Sequence, residues 1–175
     1  MTKKYVYICG IRFFISNYKN IVETIKVSTK RKVIFAPLAT HPVMEAYFND
    51  KLKNIYGEIQ YLLPDGYIVW AIHFLFGIHF QKRIYGPDLL LNVSKMCEET
   101  KKPIFLCGNN CELVKFKLKK IFPDLKVGGT FEMGGIEYSS SIAKKISGLI
   151  KETHSACVFV GIGSPNQHIY LSCLA

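Results

Sequence analysis

The chain has 175 residues, of which 49% are hydrophobic and 21% charged, and it carries a formal net charge of +10 at pH 7. This length and apolar content exclude an intrinsically disordered chain and predict a single domain over residues 1–175 with a substantial core. The positive charge favours an anionic partner such as nucleic acid, a phosphorylated ligand or an acidic membrane face.

The sequence holds few signals for export, membrane insertion or metal binding. The apolar run after the first residues is too short for a signal peptide, and no stretch reaches the roughly 20 apolar residues of a spanning helix. The six cysteines form no C-x-x-C pair, and neither they nor the five histidines have the spacing of a metal site. We therefore expect a cytoplasmic protein with reduced, mostly buried thiols and no bound metal.

The first part of the chain alternates strand-like and helix-like stretches. Ser16 is typical of a helix N-cap, and Ile21, Val22 and Ile25 then fall on one helical face. The predicted elements are, in order, a strand at 5–9, a helix at 19–28, a strand at 33–35, an irregular loop at 36–42, a helix at 43–55 and a strand at 59–63.

The strand that ends at Leu63 runs into a turn formed by Pro64, Asp65 and Gly66, and an apolar run of helical length follows at 67–76. Asp65 therefore lies where the carboxyl end of a strand meets the amino end of a helix, the edge at which open α/β sheets bind ligands. A carboxylate held there could have a raised pKa and act as a base. The alternative is that Asp65 only caps the helix, and the turn alone leaves both interpretations open.

The rest of the chain continues the alternation. Pro87 and Asp88 suit the first turn of a helix. Strand and helix joined by short connections predict an α/β, Rossmann-like protein whose mostly parallel sheet carries helices on both faces. The predicted elements are a helix at 87–100, a strand at 103–107, a helix at 111–122, a strand at 125–127, a loop from the glycines at 128 and 129, a helix at 139–153 and a strand at 156–160.

Two glycine turns follow strands and precede helices, at 108–110 and at 161–164. Such turns present backbone N–H groups to phosphate, although glycine there is more often simple turn chemistry. We expect both turns and Asp65 on the same sheet edge. The amide of Gln167 could contact a base or a sugar hydroxyl, or it could face solvent. Arg83 suits bidentate contact with phosphate, or it is a surface arginine of a basic chain.

Two stretches, 30–32 and 115–120, are rich in lysine. We expect no exposed aromatic residues between these lysines. Such stretches are more typical of solvated faces than of nucleic-acid grooves. We therefore expect no nucleic-acid partner.

Five segments in this order resemble the WecG/TagA/CpsF glycosyltransferase family, and the resemblance covers Val33 to Leu171. The most specific are the Pro-Asp-Gly turn, the Arg-x-x-Gly-x-Asp-Leu segment and the terminal Gly-x-Gly-Ser-Pro-x-Gln. The segments are Leu63–Gly66 with Val69–Ala71, Arg83–Leu89, Ile104–Gly108, Phe122–Leu125 and Val160–Gln167.

The resemblance implies a function in cell-envelope polysaccharide biosynthesis. It implies inverting transfer of a hexosamine-type sugar, similar to N-acetylmannosamine, from a UDP donor to a polyprenyl-diphosphate-linked or similar glycan acceptor, without a metal or cofactor. It assigns Asp65 as the base, Thr40 to the catalytic site, Arg83 to the diphosphate and Gln167 to the donor. The remaining substrate contacts fall on Gly86, Gly108, Gly161, Gly163 and Ser164.

Two departures from the family accompany this resemblance. Asn166, Gln167 and His168 stand where the family has Lys-Gln-Glu, so the acid after the glutamine is missing. Family members also continue for tens of residues with a basic segment, whereas this chain ends at Ala175. The net charge of +10 and the lipid-linked acceptor that the resemblance implies lead us to expect salt-sensitive peripheral contact with the anionic inner face of the cytoplasmic membrane, and the missing basic segment should make it weak.

Two other functions stay open at this point. One is an inactive relative that binds a UDP-sugar or a partner without turnover. The other, from the charge alone, is a nucleic-acid-binding α/β domain. The sequence also leaves open whether the chain forms a homo-oligomer.

Overall fold

The computed structural model describes residues 5–28, 32–67, 83–134 and 139–174. The chain divides into two compact units, Met1–Leu89 together with Ala175, and Leu90–Leu174. The expectation of one domain over residues 1–175 stays a prediction, and each unit is described by itself.

The first unit contains a four-stranded sheet with the order β1-β2-β4-β3. β1 and β2 are antiparallel, whereas β2 and β3 both run parallel to β4. The elements are β1 (Tyr5–Ile8), β2 (Ile11–Phe14), α1 (Tyr18–Val27), β3 (Phe35–Leu38), α2 (Thr40–Tyr47), α3 (Asp50–Glu58) and β4 (Tyr61–Pro64).

The β1–β2 hairpin was not predicted. Cys9 and Gly10 form its two-residue turn, and both have positive φ angles, 51° and 75°. Positive φ at both central residues suits the twist of a tight hairpin, and the glycine adopts it without steric cost. The sequence feature that could have predicted the hairpin is Gly10 between two short apolar runs.

The segment between β3 and α3 also differs from its prediction. Pro37 lies inside β3 rather than in an irregular loop, and α2 begins at Thr40. The single helix expected at 43–55 is instead two helices, because the Asn49 side chain accepts hydrogen bonds from the N–H groups of Lys51 and Leu52 and so caps α3.

Strand β4 forms the centre of the first unit, and all four of its residues are buried. Around it, Phe13 and Leu38 have no exposed surface, and Ile21 of α1 is equally buried. Phe35 stacks on Tyr61 with ring centroids 4.7 Å apart. Because β4 is flanked by a parallel strand on either side, the residue that follows it emerges at a shared carboxyl edge.

The second unit contains a three-stranded parallel sheet with the order β6-β5-β7. Helix α4 begins at Gly86, as predicted within one residue; its first four residues belong to the first unit and the rest to the second, and α7 follows the terminal glycine turn. The elements are α4 (Gly86–Glu99), β5 (Ile104–Gly108), α5 (Cys111–Ile121), β6 (Val127–Glu132), α6 (Ser140–Glu152), β7 (Cys157–Gly161) and α7 (Asn166–Leu174).

Helices cover both faces of this three-stranded sheet. On one face, Phe105 of β5 packs in a cluster with Ile146 of α6 and Tyr170 of α7. On the other, Cys97 of α4 forms a hydrogen bond with Cys157, which pairs in register with Ile104 of β5. The prediction of an α/β, Rossmann-like protein is confirmed, with two sheets in the described residues.

Strand β6 contains the glycine pair that was predicted to start a loop. A Cβ on Gly129 would lie 2.7 Å from the Phe105 ring, and one on Gly128 would lie 2.6 Å from the Ser155 Oγ. The glycines therefore let neighbouring side chains lie directly against the strand, a tertiary reason that outweighs the usual weakness of glycine in strands.

All six cysteines are free thiols, but only Cys97, Cys107 and Cys111 are buried; Cys157 is partly buried and Cys9 and Cys173 are exposed, so the expectation that most are buried is not met. Among the helices that the structure describes, none has both the length and the apolar character to cross a membrane.

Candidate functional site

Asp65 directly follows the buried strand β4 at its carboxyl end. Its N–H donates to the carbonyl oxygen of Leu38, the last residue of β3, at 3.2 Å. The turn is therefore anchored to two parallel strands, and the half-buried Asp65 carboxyl lies at the edge where ligands bind in α/β sheets.

Four neighbouring features act on the Asp65 carboxyl. Burial raises its pKa above the ordinary value and is the largest influence. The Arg83 charge and a hydrogen bond from the Gly86 N–H act in the opposite direction, while the Asp88 charge raises the pKa further. The net result is a raised pKa, which gives the carboxylate greater basicity than an exposed aspartate.

Asp65 also caps a helix, although not the one that the sequence predicted. Gly86, whose N–H donates to the carboxylate, is the first residue of α4, so one of the helix's unsatisfied N–H groups is satisfied there. The apolar helix predicted at 67–76 lies outside the described residues beyond Tyr67. The predicted contact of Gly86 with substrate stays a prediction.

Thr40 lies close to the Asp65 turn. It is the first residue of α2, and a Cβ built on Gly66 would lie 2.7 Å from its Oγ1 and 3.0 Å from its backbone nitrogen. Gly66 is thus needed because a side chain there would collide with Thr40. The structure brings together Asp65 and Thr40, the two residues that the resemblance assigned to catalysis.

Arg83 stacks on two tyrosine rings beside the Asp65 turn. Its guanidinium carbon lies 4.2 Å from the ring centroid of Tyr67 and 4.8 Å from that of Tyr85. Stacking uses the faces of the guanidinium and leaves its N–H groups directed outward in the plane, the geometry that binds phosphate bidentately. The adjacent Ile84 N–H donates to the Pro64 carbonyl at 3.0 Å, which fixes this segment against the end of β4.

Tyr18 joins this group, and sequence analysis did not identify it. Its hydroxyl accepts a hydrogen bond from the Tyr85 N–H at 2.9 Å and donates to the Asp88 carboxylate at 3.3 Å. No local signal could have found this residue, since Tyr18 and Tyr85 are 67 positions apart. Asp88 was identified only as a helix-start acid, yet it contributes to the field at Asp65.

In the second unit, the glycine turns after β5 and β7 lie side by side. A Cβ on Gly108 would be 2.5 Å from the Gly161 carbonyl oxygen, and the Asn109 N–H donates to that oxygen at 3.3 Å. The Met133 N–H donates to the Gly108 carbonyl at 2.8 Å. The two strand ends therefore approach at backbone distance, which requires the absence of a side chain at Gly108.

The terminal turn presents polar groups at the start of α7. Gly163 has a φ of 84°, which suits glycine, and both Gly163 and Ser164 are exposed. Gln167 is partly buried and its amide nitrogen lies 3.4 Å from the Ser164 Oγ. His168, where the resemblance leads us to expect an acid, is fully buried and lies 3.3 Å from the same oxygen through its Nδ1.

The expectation that all these turns share one sheet edge is wrong for the described residues. β4, which precedes Asp65, belongs to the four-stranded sheet, whereas β5 and β7 belong to the three-stranded sheet. One group of candidates lies in the first unit and comprises Thr40, Asp65, Arg83 and Gly86. The other lies in the second unit and comprises Gly108, Gly161, Gly163, Ser164 and Gln167.

The raised pKa of Asp65 predicts an unusual pH dependence for Asp65→Asn. The folded chain holds this proton more tightly than the unfolded chain, so the wild-type free energy of unfolding falls as pH rises from the unfolded pKa, about 3.9, to the folded one. Asparagine has no such ionisation, and its side-chain oxygen can still accept from Gly86. At pH 7 the variant should match or slightly exceed wild type in melting temperature, and this advantage should vanish near pH 4.

Thermal unfolding across that pH range measures the effect. A variant clearly less stable than wild type at pH 7 would mean that the interactions with Arg83 and Gly86 outweigh burial at this carboxylate.

Comparison with known proteins adds independent information. The model of the glycosyl transferase WecG/TagA/CpsF family matches residues 6–173. A protein of Bacillus spizizenii strain W23, named N-acetylglucosaminyldiphosphoundecaprenol N-acetyl-beta-D-mannosaminyltransferase, is 26% identical over 130 residues, 73% of this chain and 49% of that protein. The protein of the same name from Bacillus subtilis strain 168 is 27% identical over 121 residues, 67% of this chain and 45% of that protein. This chain spans about half the length of the curated relatives it matches.

Proposed function

Because this chain belongs to the WecG/TagA/CpsF family of glycosyl transferases, we propose that it transfers an N-acetylmannosamine-like sugar from a UDP donor to a lipid-diphosphate-linked glycan acceptor. The names of both relatives specify an acceptor linked to undecaprenol through a diphosphate. The observation that carries the proposal is the Asp65 carboxyl, with its raised pKa, next to Arg83 at the end of β4. The nucleic-acid alternative rested on charge alone and has no further support.

In the proposed reaction Asp65 is the general base. As the acceptor hydroxyl oxygen forms its bond to the anomeric carbon, the bond from that carbon to the diphosphate breaks, and its electron pair leaves with the nucleoside diphosphate. The hydroxyl proton passes to Asp65, which must lie within roughly 2.6–3.2 Å of it or one water away. Attack opposite the leaving group inverts the anomeric centre.

Arg83 stabilises the leaving group in this proposal. The diphosphate gains negative charge as the sugar bond breaks, and a guanidinium already oriented by Tyr67 and Tyr85 needs little reorganisation to neutralise it. The proposed reaction needs no metal, since this cation and backbone N–H groups stabilise the diphosphate. In this proposal the Thr40 hydroxyl, which lies beside Gly66 of the Asp65 turn, hydrogen-bonds a sugar.

The second unit, taken by itself, carries the other residues that we propose as donor contacts. The exposed Gly161–Ser164 turn ends β7 and precedes α7, where backbone N–H groups suit phosphate oxygens. The Gln167 amide, beside the Ser164 hydroxyl, suits a sugar hydroxyl or a base edge. Gly108 contributes indirectly, because it allows the two strand ends to approach.

Replacing Arg83 with alanine should separate the diphosphate contact from nucleoside binding. The variant should bind UDP roughly 10- to 100-fold more weakly, the loss expected for charge-assisted hydrogen bonds, while uridine affinity stays within about twofold. Isothermal titration calorimetry with both ligands measures the difference.

Arg12→Ala provides a matched control, since its guanidinium carbon also stacks on a tyrosine, 4.8 Å from the Tyr5 ring centroid, in the β1–β2 hairpin. That variant should bind UDP as the wild type does. Equal losses of UDP and uridine affinity in Arg83→Ala would contradict the diphosphate role. A wild-type chain that binds neither ligand would contradict the nucleotide site itself.

A further inference from the structure

Helix α5 exposes apolar side chains on its outward face. Leu113 is 51% exposed, Phe116 57% and Ile121 57%, whereas Cys111 and Leu118 on the opposite face are buried. Leu113, Phe116, Lys117 and Lys120 are spaced i, i+3, i+4 and i+7, so they form one continuous stripe along the helix. We refer to these four residues as the α5 stripe.

Lysines are interleaved with the apolar groups of the stripe. The Lys120 ammonium lies 4.5 Å above the Phe116 ring centroid. Lys119 flanks the stripe and donates to the Pro123 carbonyl at 3.0 Å, whereas Lys115 lies towards the buried side of the helix, in an ion pair with Glu112 at 3.1 Å. The sequence-based statement that 115–120 lacks an exposed aromatic residue is therefore wrong, because Phe116 is exposed.

We propose that the α5 stripe is a membrane-binding surface that lies on an anionic lipid bilayer. Leucine and phenylalanine on such a helix enter the boundary between headgroups and acyl chains, and lysines contact anionic headgroups. The choice of a membrane rather than a protein partner rests on the proposed function, since a lipid-linked acceptor is presented at a bilayer surface. The lysines supply the charge complementarity that this surface requires.

A second exposed apolar patch is less suited to that role. Met44, Tyr47 and Phe48 are exposed at the end of α2, with Phe48 81% exposed. Glu45 lies within this patch and Asp50 precedes the exposed Lys51, so the charged groups nearest the apolar side chains are carboxylates, which an anionic surface would repel. It therefore provides an internal control, an exposed apolar area with a carboxylate rather than lysines among its apolar residues.

Co-sedimentation with vesicles of phosphatidylcholine, with and without phosphatidylglycerol, tests the proposal. The wild-type chain should bind only the anionic vesicles, and less as salt rises, because screening shortens the reach of the charges. Lys117→Gln/Lys120→Gln should lower the partition coefficient roughly 10- to 30-fold at low salt, since each lysine near such a surface contributes about a fivefold factor. Leu113→Gln/Phe116→Gln should lower binding at every salt concentration, because this variant loses apolar contacts with the bilayer and salt does not screen such contacts.

Two controls distinguish this surface from charge or exposure in general. Lys144→Gln/Lys151→Gln removes the same charge from α6, and Phe48→Gln removes a more exposed aromatic ring. Both should bind vesicles as the wild type does, with circular dichroism confirming that each variant is folded. The proposal would be overturned if the control variants lost as much vesicle binding as the stripe variants. It would also be overturned if the wild type did not bind anionic vesicles.

The alternative is that the α5 stripe binds a second copy of the chain. If Leu113→Gln/Phe116→Gln dissociated an oligomer on gel filtration while vesicle binding stayed unchanged, the stripe would be a protein interface and the proposal would fail. The vesicles contain no acceptor and the assay needs no turnover, so this outcome is independent of whether Asp65 acts as a base.

Discussion

Replacing Asp65 with asparagine should reduce turnover by on the order of 10²- to 10⁴-fold, the usual contribution of a positioned general base. Asparagine preserves the shape of the side chain and can still accept the hydrogen bond from the Gly86 N–H, so α4 keeps its cap. The substitution removes only the group that takes the acceptor proton. UDP affinity should therefore stay within a few-fold of wild type. Release of UDP from a sugar nucleotide, in the presence of a lipid-linked acceptor, measures turnover.

Asp50→Asn is the matched control for this experiment. Asp50 is an exposed acid in the first turn of α3, so the change removes the same charge from the same unit and should leave turnover unchanged. Near-normal turnover in Asp65→Asn would eliminate Asp65 as the base. A variant that lost its fold would show instead that capping α4 is the main role of the carboxylate. If the wild type bound UDP but showed no turnover, the binding-module alternative would be favoured.

Replacing Gly108 with alanine should destabilise the second unit by about 3 kcal/mol, near the upper end of the usual cost of overpacking. The added Cβ would lie 2.5 Å from the Gly161 carbonyl oxygen and 3.0 Å from its carbonyl carbon. Both atoms belong to the backbone of β7, so a side-chain rotation cannot relieve the collision. The strands must separate, which weakens the hydrogen bond from Asn109 to Gly161. Thermal unfolding should show a melting temperature lower by roughly 6–12 °C for a chain of this length.

Gly148→Ala is the contrasting substitution in the same unit. Gly148 lies inside α6, and a Cβ there would meet nothing within 4 Å. Alanine is the better helix former, so this variant should gain about 0.5–1 kcal/mol. If Gly108→Ala unfolded at the wild-type temperature, the close approach of β5 and β7 would not be required for stability.

Much of the fold was predictable because its signals are local. The buried run that became β5, the amphipathic pattern of α5 and the turn glycines around Gly108 and Gly161 all depend on residues a few positions apart. Errors arose where packing outweighs local preference. Gly128 and Gly129 were predicted to start a loop, yet they lie in β6 because Ser155 and Phe105 occupy the space that side chains would need.

In the candidate site, too, some residues could be identified from local motifs and others only from the tertiary structure. The position of Asp65 after a strand, and the assignment of Thr40 and Arg83, came from local motifs and from the resemblance that they carry. The Tyr18 bonds to Tyr85 and Asp88 could not be predicted. They join residues about 70 positions apart, and no periodicity or turn rule specifies such a pair.

By itself, the sequence determined the family, the alternation of strands and helices, and the placement of an acid at a strand end, since each depends on residue types at short spacings. Only the tertiary structure decided that Asp65 accepts from Gly86 of α4, that the glycine turns and Asp65 follow strands of different sheets, and that Phe116 lies exposed beneath Lys120. Burial, electrostatic field and exposure are properties of the folded chain, because each depends on which distant segments come to lie beside a residue.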